Sequence, residues 1–550
     1  MKSAQTDSSQ IDSFVRDHLP PPEQWPQQMY DFPPAVLDEI LQPQLNLVTE
    51  LLDKASIKGF SDRPLLRSPR ITLTYHDVSD RVNRIAQVLT EDYGLVPGNR
   101  VLLRGGNSVG MALAWLAVVK AGLIAVATMP LLRASELGDI IEKAQPTVAL
   151  CDIKLLDELE IAKKMTNGQH PVLKTILPFN VMVHPQGLAT LSSQKDGHFT
   201  ACPTLATDIA LMAFTSGTTG KPKAAVHTHR DILAACEAWP RHVLQATPDD
   251  IIVGSPPLAF TFGLGGLLIF PMWAGASVYF PDVAYTPEVM VHFMNEVGAT
   301  ICYTAPTFYR QMAPFAQAIG LPKLRMSVSA GEALPDATRQ LWKQATGLEM
   351  LDGIGATEMF HIFISSAGKD VKPGAIGKVV PGYTAKVVDD AGNEVPRGTV
   401  GKLAVIGPTG CKYFDDVRQL NYVKNGWNYP GDAFIQDADG YFCYQARDDD
   451  MIITAGYNVG APEVEDALLK HPAVAEAAVI GQKDDERGMV VRAFVVLKPD
   501  NLADDAMVKT LQDHVKAAIA PYKYPRMVEF VDKLPRTETG KLQRFKLRQL

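Results

Sequence analysis

The residues best equipped for chemistry lie in Thr215-Ser216-Gly217-Thr218-Thr219-Gly220-Lys221-Pro222-Lys223, directly after the apolar run Ile209–Phe214. Glycines let a backbone turn with positive φ and aim its N–H groups at an anion. Hydroxyls donate to phosphate oxygens, and lysines add point charges. The composition suits a polyphosphate; for the stretch taken alone, a plain surface turn is the alternative. It is not a G-x-x-x-x-G-K-[ST] loop, because two residues separate Gly217 from Gly220 and Pro222 follows Lys221.

Three further stretches follow in order: Asp352-Gly353-Ile354-Gly355-Ala356-Thr357-Glu358, Tyr429-Pro430-Gly431-Asp432 and Pro535-Arg536-Thr537-Glu538-Thr539-Gly540-Lys541. With the loop, they resemble the motifs of the adenylate-forming superfamily: acyl-CoA and aryl-CoA synthetases, adenylation domains of peptide synthetases, and beetle luciferases. Within it the chain is similar to bacterial benzoate and 2-aminobenzoate CoA ligases, including the opening Phe14-Val15-Arg16-Asp17-His18-Leu19-Pro20-Pro21. The resemblance runs from about Asp31 to the end of the sequence.

That resemblance implies two steps. A carboxylate attacks the α-phosphorus of ATP in the presence of Mg²⁺, and CoA then takes the acyl group from acyl-AMP. Anion meets anion in the first step, so charge has to be screened. Thr215, Ser216, Gly217, Thr218, Thr219, Gly220, Lys221 and Lys223 are implied as the phosphate loop. Thr357 is implied to contact the α-phosphate and Glu358 to bind Mg²⁺. Lys541 would bridge carboxylate and α-phosphate as a charge-stabilising group, not a base.

Gly331, Glu332, Ala333, Asp352, Gly353 and Ile354 are implied on the adenine side, Ile354 standing where many relatives have an aromatic. Asp432 would accept from the ribose hydroxyls, and Arg447 would support the ribose or the α-phosphate. Asp449 matches a hinge position, and Gly456 a pantetheine tunnel. Phe260, Phe262, Gly355, His361 and Ile362 are implied around an aryl ring, with His361 expected to hydrogen-bond the carboxylate or an ortho substituent. Flat pockets of aromatic and small residues suit such rings.

Positioning these groups takes a scaffold. Ile71–Tyr75 alternates as a strand, with Asp77 expected to cap the helix after it; Arg100–Arg104 and Leu123–Thr128 read as strands around a helix capped at Asn107-Ser108. The same alternation recurs at Ile209–Phe214, Ile251–Gly254, Ser277–Phe280, Thr300–Tyr303, Met326–Ala330 and Glu349–Asp352. It predicts an α/β fold with parallel sheets. Residues 376–443 read as a β-rich subdomain of short strands and Gly/Asn/Asp turns. Residues 1–448 are expected as an N-terminal AMP- and acyl-binding domain, with 1–30 an arm laid over it or left mobile. Residues 449–550 are expected as a small mobile α+β domain carrying the catalytic lysine.

At 550 residues, more than one core is expected. The net charge of −8 argues against a general nucleic-acid surface. Cys151, Cys202, Cys236, Cys302, Cys411 and Cys443 show no C-x-x-C spacing, which fits a reducing cytosol. The apolar stretches Met111–Leu132 and Phe262–Phe280 read as helix and strand in tandem rather than membrane spans. The expectation is a cytoplasmic aryl-CoA ligase with ATP, Mg²⁺ and CoA as co-substrates and no prosthetic group. Neither nucleic acid nor membrane is an expected partner, and a homodimer is left open. The expected acid is 2-aminobenzoate first, benzoate second. Competing readings are a stand-alone aryl-acid adenylation enzyme that loads a carrier protein, a luciferase-like oxygenase, and a non-catalytic AMP or acyl-adenylate binder.

Overall fold

The computed structural model describes residues 8–166, 172–181, 183–215, 222–447, 451–454, 457–484, 487–536 and 542–550. Among them two large sheets carry the N-terminal part. The first has six strands, running from Thr175–Phe179 through Val148–Asp152, Arg100–Arg104 and Ile124–Thr128 to β1 (Ile209–Thr215) and β2 (Lys223–Thr228). Its pairs are parallel until the last, where β1 and β2 form an antiparallel hairpin with Thr215 opposite Lys223. The second sheet has nine strands. In it β3 (Leu351–Gly355) lies between Met326–Ala330, to which it is parallel, and β4 (Ile362–Ser366), to which it is antiparallel.

Near-continuous apolar strands are what a sheet covered on both faces requires. The helix Val109–Lys120 is capped by Ser108, whose hydroxyl takes the Met111 N–H, and is apolar all round, so it is buried between layers. Its terminal Lys120 is buried too and pairs with Asp53 at 2.5 Å.

Two expectations change. The helix Tyr75–Gln87 is capped by Thr74, not Asp77; Asp77 is the third helical residue and returns a bond to the Thr74 N–H, so the two form a capping box and the strand stops at Thr74. Lys378–Val379 also pairs with β4 in the nine-stranded sheet rather than with the β-rich unit. That unit is a six-stranded sheet built from strands between Thr384 and Arg447. The arm is laid down: Gln10 donates to the Ile209 carbonyl at 2.8 Å, and Asp12 pairs with Arg100.

The described residues beyond 450 form a five-stranded sheet with α2 (Ala461–Leu469) and the helix Asp505–Ala518 around a core of their own. They meet the rest at α1 (Asp336–Thr346). The Asp466 carboxylate accepts the Ala337 N–H at 3.0 Å, and Lys470 lies 3.7 Å from Asp336. Arg536 reaches Glu332 at 3.2 Å. No helix among the described residues is long and apolar enough to cross a membrane.

Candidate active site

The stretch expected to bind phosphate connects the two strands of the β1–β2 hairpin. Thr215 and Lys223 face each other at its end, and the residues between them that were singled out, Ser216, Gly217, Thr218, Thr219, Gly220 and Lys221, lie outside the described residues. Lys223 reaches across to the other sheet, its ammonium 2.8 Å from Glu358 Oε1. Glu358 sits in a short turn, Thr357–Met359, directly beyond β3. His227 of β2 makes a second link: its Nε2 lies 2.7 Å from the Thr357 carbonyl.

Glu358 is buried, and burial alone would raise its carboxyl group. The Lys223 charge and hydrogen bonds from Lys223 and Tyr413 outweigh that, so the group ends below its ordinary value and is ionised. Both contacts fall on Oε1, and Oε2 takes no side-chain donor among the described residues. One ionised carboxylate beside the strands that flank the expected phosphate loop fits Mg²⁺, which keeps waters and phosphate oxygens in its shell.

The turn itself is strained. Phe360 has φ of 69°, in the left-handed region that a bulky residue avoids. Its ring packs between His227, at 5.5 Å, and Phe270, at 6.4 Å, which hold it there.

Adenine-side expectations cluster on β3 and the strand beside it. Ala330 pairs with Gly353 and Ser329 with Asp352, and Gly331 turns away at φ 91°. Ile354 packs against the main core. Burial raises Asp352 to about 7, against the Gly353 N–H. Glu332 accepts from Thr307 at 2.8 Å besides Arg536, so its carboxylate is committed to the domain contact; Ala333 follows it in the same turn. Asp432 and Arg447 are cross-strand neighbours 3.2 Å apart, and Arg447 also donates to the Pro430 carbonyl at 2.9 Å.

The aryl expectations lie at the other end of β3. Gly355 pairs with Ile362, and a Cβ on Gly355 would stand 2.6 Å from the His361 carbonyl oxygen. The His361 ring lies 5.5 Å from Phe262, 4.5 Å from Phe270 and 5.3 Å from Trp239. Phe262 in turn lies 5.8 Å from Tyr303. Gly265 and Gly266 admit this crowding: a Cβ on Gly265 would come within 2.5 Å of His361, and one on Gly266 within 2.7 Å of Tyr303. The structure therefore brings Phe262, Gly355, His361 and Ile362 together. Phe260 precedes the helix carrying Phe262 and packs on the core, but makes no ring contact with them among the described residues.

Burial lowers His361 to about 3, so the imidazole is neutral. Its Nε2 lies 3.3 Å from the Phe262 carbonyl and therefore carries the proton, which leaves Nδ1 an acceptor. With its one N–H turned to the Phe262 carbonyl, the neutral ring has no donor left for a carboxylate, so of the two hydrogen-bonding roles expected for it only the one to an ortho substituent fits. Among the described residues His361 Nδ1, Trp239 Nε1 and the Tyr303 hydroxyl have no hydrogen-bond partner, although each is buried. Unpaired buried polar atoms cost about 1–3 kcal/mol each, and these three fall within one ring cluster.

Sequence reasoning passed over Tyr413, Trp239, Tyr303 and Phe270. Phe270 and Tyr303 are aromatics in apolar stretches, Trp239 and Tyr413 stand among charged neighbours, and none is distinguishable from structural residues until the sheets meet. Asp449, Gly456 and Lys541 lie outside the described residues. Lys523 forms an ion pair with Glu463 at 2.5 Å. The described residues contain no cluster of three or more His, Cys, Asp or Glu placed to hold a metal.

Comparison with known proteins adds four findings. The family described as AMP-binding enzyme matches residues 53–413, and its C-terminal domain matches 463–541. The benzoate–CoA ligase of Thauera aromatica is 34% identical over 521 residues, covering 94% of this chain and 97% of the relative. The 4-hydroxybenzoate–CoA/benzoate–CoA ligase of Rhodopseudomonas palustris is 31% identical, covering 92% and 94%. The crystal structure of the anthranilate CoA ligase AuaEII with anthranoyl-AMP superposes with a TM-score of 0.87 at 35% identity, covering 94% of this chain and 98% of that one.

Proposed function

Because the chain belongs to the AMP-binding enzyme family and is an AMP-forming acid–CoA ligase of the aryl-CoA ligase kind, using ATP and CoA, we propose that its acid is a benzoate with a small polar ortho substituent. 2-Aminobenzoate is the first choice and unsubstituted benzoate the second. The carrying observation is the His361 Nδ1 acceptor, unpartnered in a wall of aromatic rings. An ortho amino group supplies the missing donor, while Phe262 and Ile362 pack the ring faces.

In this reading the carboxylate is delivered to the α-phosphorus between Thr357 and Lys541. The carboxylate oxygen forms the new bond, the α–β bridging bond breaks, and pyrophosphate leaves. Lys223 and the loop 215–221 neutralise the departing charge. Glu358 would hold Mg²⁺, which would screen the phosphates. Asp352 accepts from the adenine amino group, and Gly331, Gly353 and Ile354 border the base. Asp432, steadied by Arg447, takes the ribose hydroxyls. The thiol of CoA then attacks the acyl carbon and AMP leaves. Residues 449–550 turn about Asp449 between the steps, exchanging Lys541 for the tunnel at Gly456. The enzyme works in the cytoplasm.

A thioester assay tests the reading. Protein, ATP, Mg²⁺ and CoA are incubated with 2-aminobenzoate, benzoate, hydroxybenzoates and a fatty acid in parallel, and the products are identified by mass. The expected result is aryl-CoA, with 2-aminobenzoate giving the highest kcat/KM. Aryl-AMP without thioester would make a carrier protein the acceptor; turnover of the fatty acid alone would overturn the aryl assignment. Lys541→Ala is expected to remove ATP–pyrophosphate exchange.

A further inference from the structure

Tyr413 belongs to none of the expected sites, yet its hydroxyl stands between the two charges that matter most there. It donates to Glu358 Oε1 and lies 2.5 Å from the Lys223 ammonium, which itself lies 2.8 Å from the same carboxylate oxygen. The ammonium also sits 4.8 Å from the centre of the Tyr413 ring and 5.8 Å from that of Tyr422, close enough for cation–π attraction. Tyr413 has little freedom: it is 1% exposed, its N–H donates to Gln419 Oε1 at 2.9 Å, and its backbone bridges to Ala225 on β2. Burial and the Glu358 charge both push its phenol up, so it is always a donor.

A buried carboxylate needs a cation, and in this arrangement a lysine supplies it. Lys223 is also the lysine expected on the leaving phosphates, and it cannot neutralise phosphate and remain on Glu358 at full strength. Nucleotide binding therefore draws the ammonium away, and Glu358 would be left buried with its charge open. We infer that Tyr413 is the positioning residue of a counter-ion exchange: it holds Glu358 by Oε1 while Lys223 is replaced on the carboxylate by the divalent cation that arrives with the nucleotide. The inference rests on the nucleotide-site reading above and adds to it a residue and an order of events. Its logic is electrostatic. The lysine's single charge offsets the carboxylate before nucleotide and metal arrive, and the hydroxyl, which both partners share, keeps Oε2 available when the partners change.

Metal binding without turnover tests this. Mn²⁺ is titrated by electron paramagnetic resonance into protein saturated with α,β-methylene-ATP, with no aryl acid or CoA present. Tyr413→Phe keeps the ring and is expected to bind Mn²⁺ about tenfold more weakly, the size of one hydrogen bond to a charged group. In EDTA its affinity for the nucleotide alone is expected to change less than twofold. In a Glu358→Gln background the Tyr413→Phe loss is expected to vanish, because the carboxylate it acts through is gone.

Lys223→Met is expected to bind Mn²⁺ more tightly than wild type when no nucleotide is present, since the resident competitor is absent. Wild-type Mn²⁺ affinity in Tyr413→Phe, a loss that persists in Glu358→Gln, or weaker nucleotide-free binding in Lys223→Met would each overturn the inference. The ligase reading fails separately: metal and nucleotide that bind as described, with no aryl acid activated, overturn the substrate proposal and leave Tyr413 in its role.

Discussion

Asp352 illustrates what burial does to a single group. Raised to about 7, it is about half protonated at neutral pH, whereas a free aspartate is ionised. An adenine amino group is a donor and favours the carboxylate, so nucleotide binding at pH 7 is expected to release about half a proton. Calorimetry in buffers of different ionisation enthalpy reads this directly, and Asp352→Asn should bring the release to zero. A wild-type release of zero would place the adenine elsewhere. His361 shows the opposite sign: burial removes its charge and leaves it one acceptor, which turns a residue suited by type to acid–base work into one suited to recognition.

At the scale of elements, β3 matters most. One five-residue strand carries Asp352, Gly353, Ile354 and Gly355, the first three proposed for the base and the last for the ring, and the turn after it presents Thr357 and Glu358. Opposite stands the glycine-rich helical segment after Phe262. Gly265→Ala would drive a methyl against His361, since the built Cβ lies 2.5 Å from its ring. The expected outcome is a KM for the aryl acid at least tenfold higher with the KM for ATP within twofold of wild type, from steady-state kinetics. The contact between α1 and α2 offers a second prediction. Asp466 caps α1 from the other domain, an interaction worth about 1 kcal/mol, and Arg536 reaches Glu332. Asp466→Ala with Arg536→Ala is expected to slow ATP–pyrophosphate exchange several-fold while CoA transfer from supplied aryl-AMP keeps its rate. Equal slowing of both would mean that the contact serves stability alone.

Taken as a whole, the molecule buries several ionisable groups, and its stability should follow their protons. His227, His229 and His361 are all lowered, mainly by burial, His229 to about 4 and His361 to about 3. Below the ordinary histidine value near 6.5 the unfolded chain takes up these protons and the folded one does not, so stability falls as pH falls, by about 1.4 kcal/mol per pH unit for each histidine. Asp352 works the other way, because between about 4 and 7 the folded chain holds a proton that the unfolded one releases. The histidines outnumber it, and the melting temperature is expected to drop between pH 6.5 and 4.5. A flat profile by scanning calorimetry across that window would show that these histidines are solvated.

Local chemistry and order along the chain made much of this protein legible. Apolar runs of strand length between helical stretches implied parallel sheets, since only covered strands are apolar on both faces. Glycine, hydroxyl and lysine in one short loop implied phosphate. Thr357 and Glu358 stand out because their neighbours in sequence form a motif. What sequence could not disclose were partners far apart in the chain. Lys223, Glu358 and Tyr413 meet because a hairpin of one sheet, a turn from the other and a loop of the β-rich unit converge. Trp239, Phe270 and Tyr303 read as core one at a time and join Phe262 and His361 in a ring cluster only when packed together. The sign and size of a pKa shift are likewise properties of the surroundings, because desolvation and neighbouring charge exist only once the chain has folded.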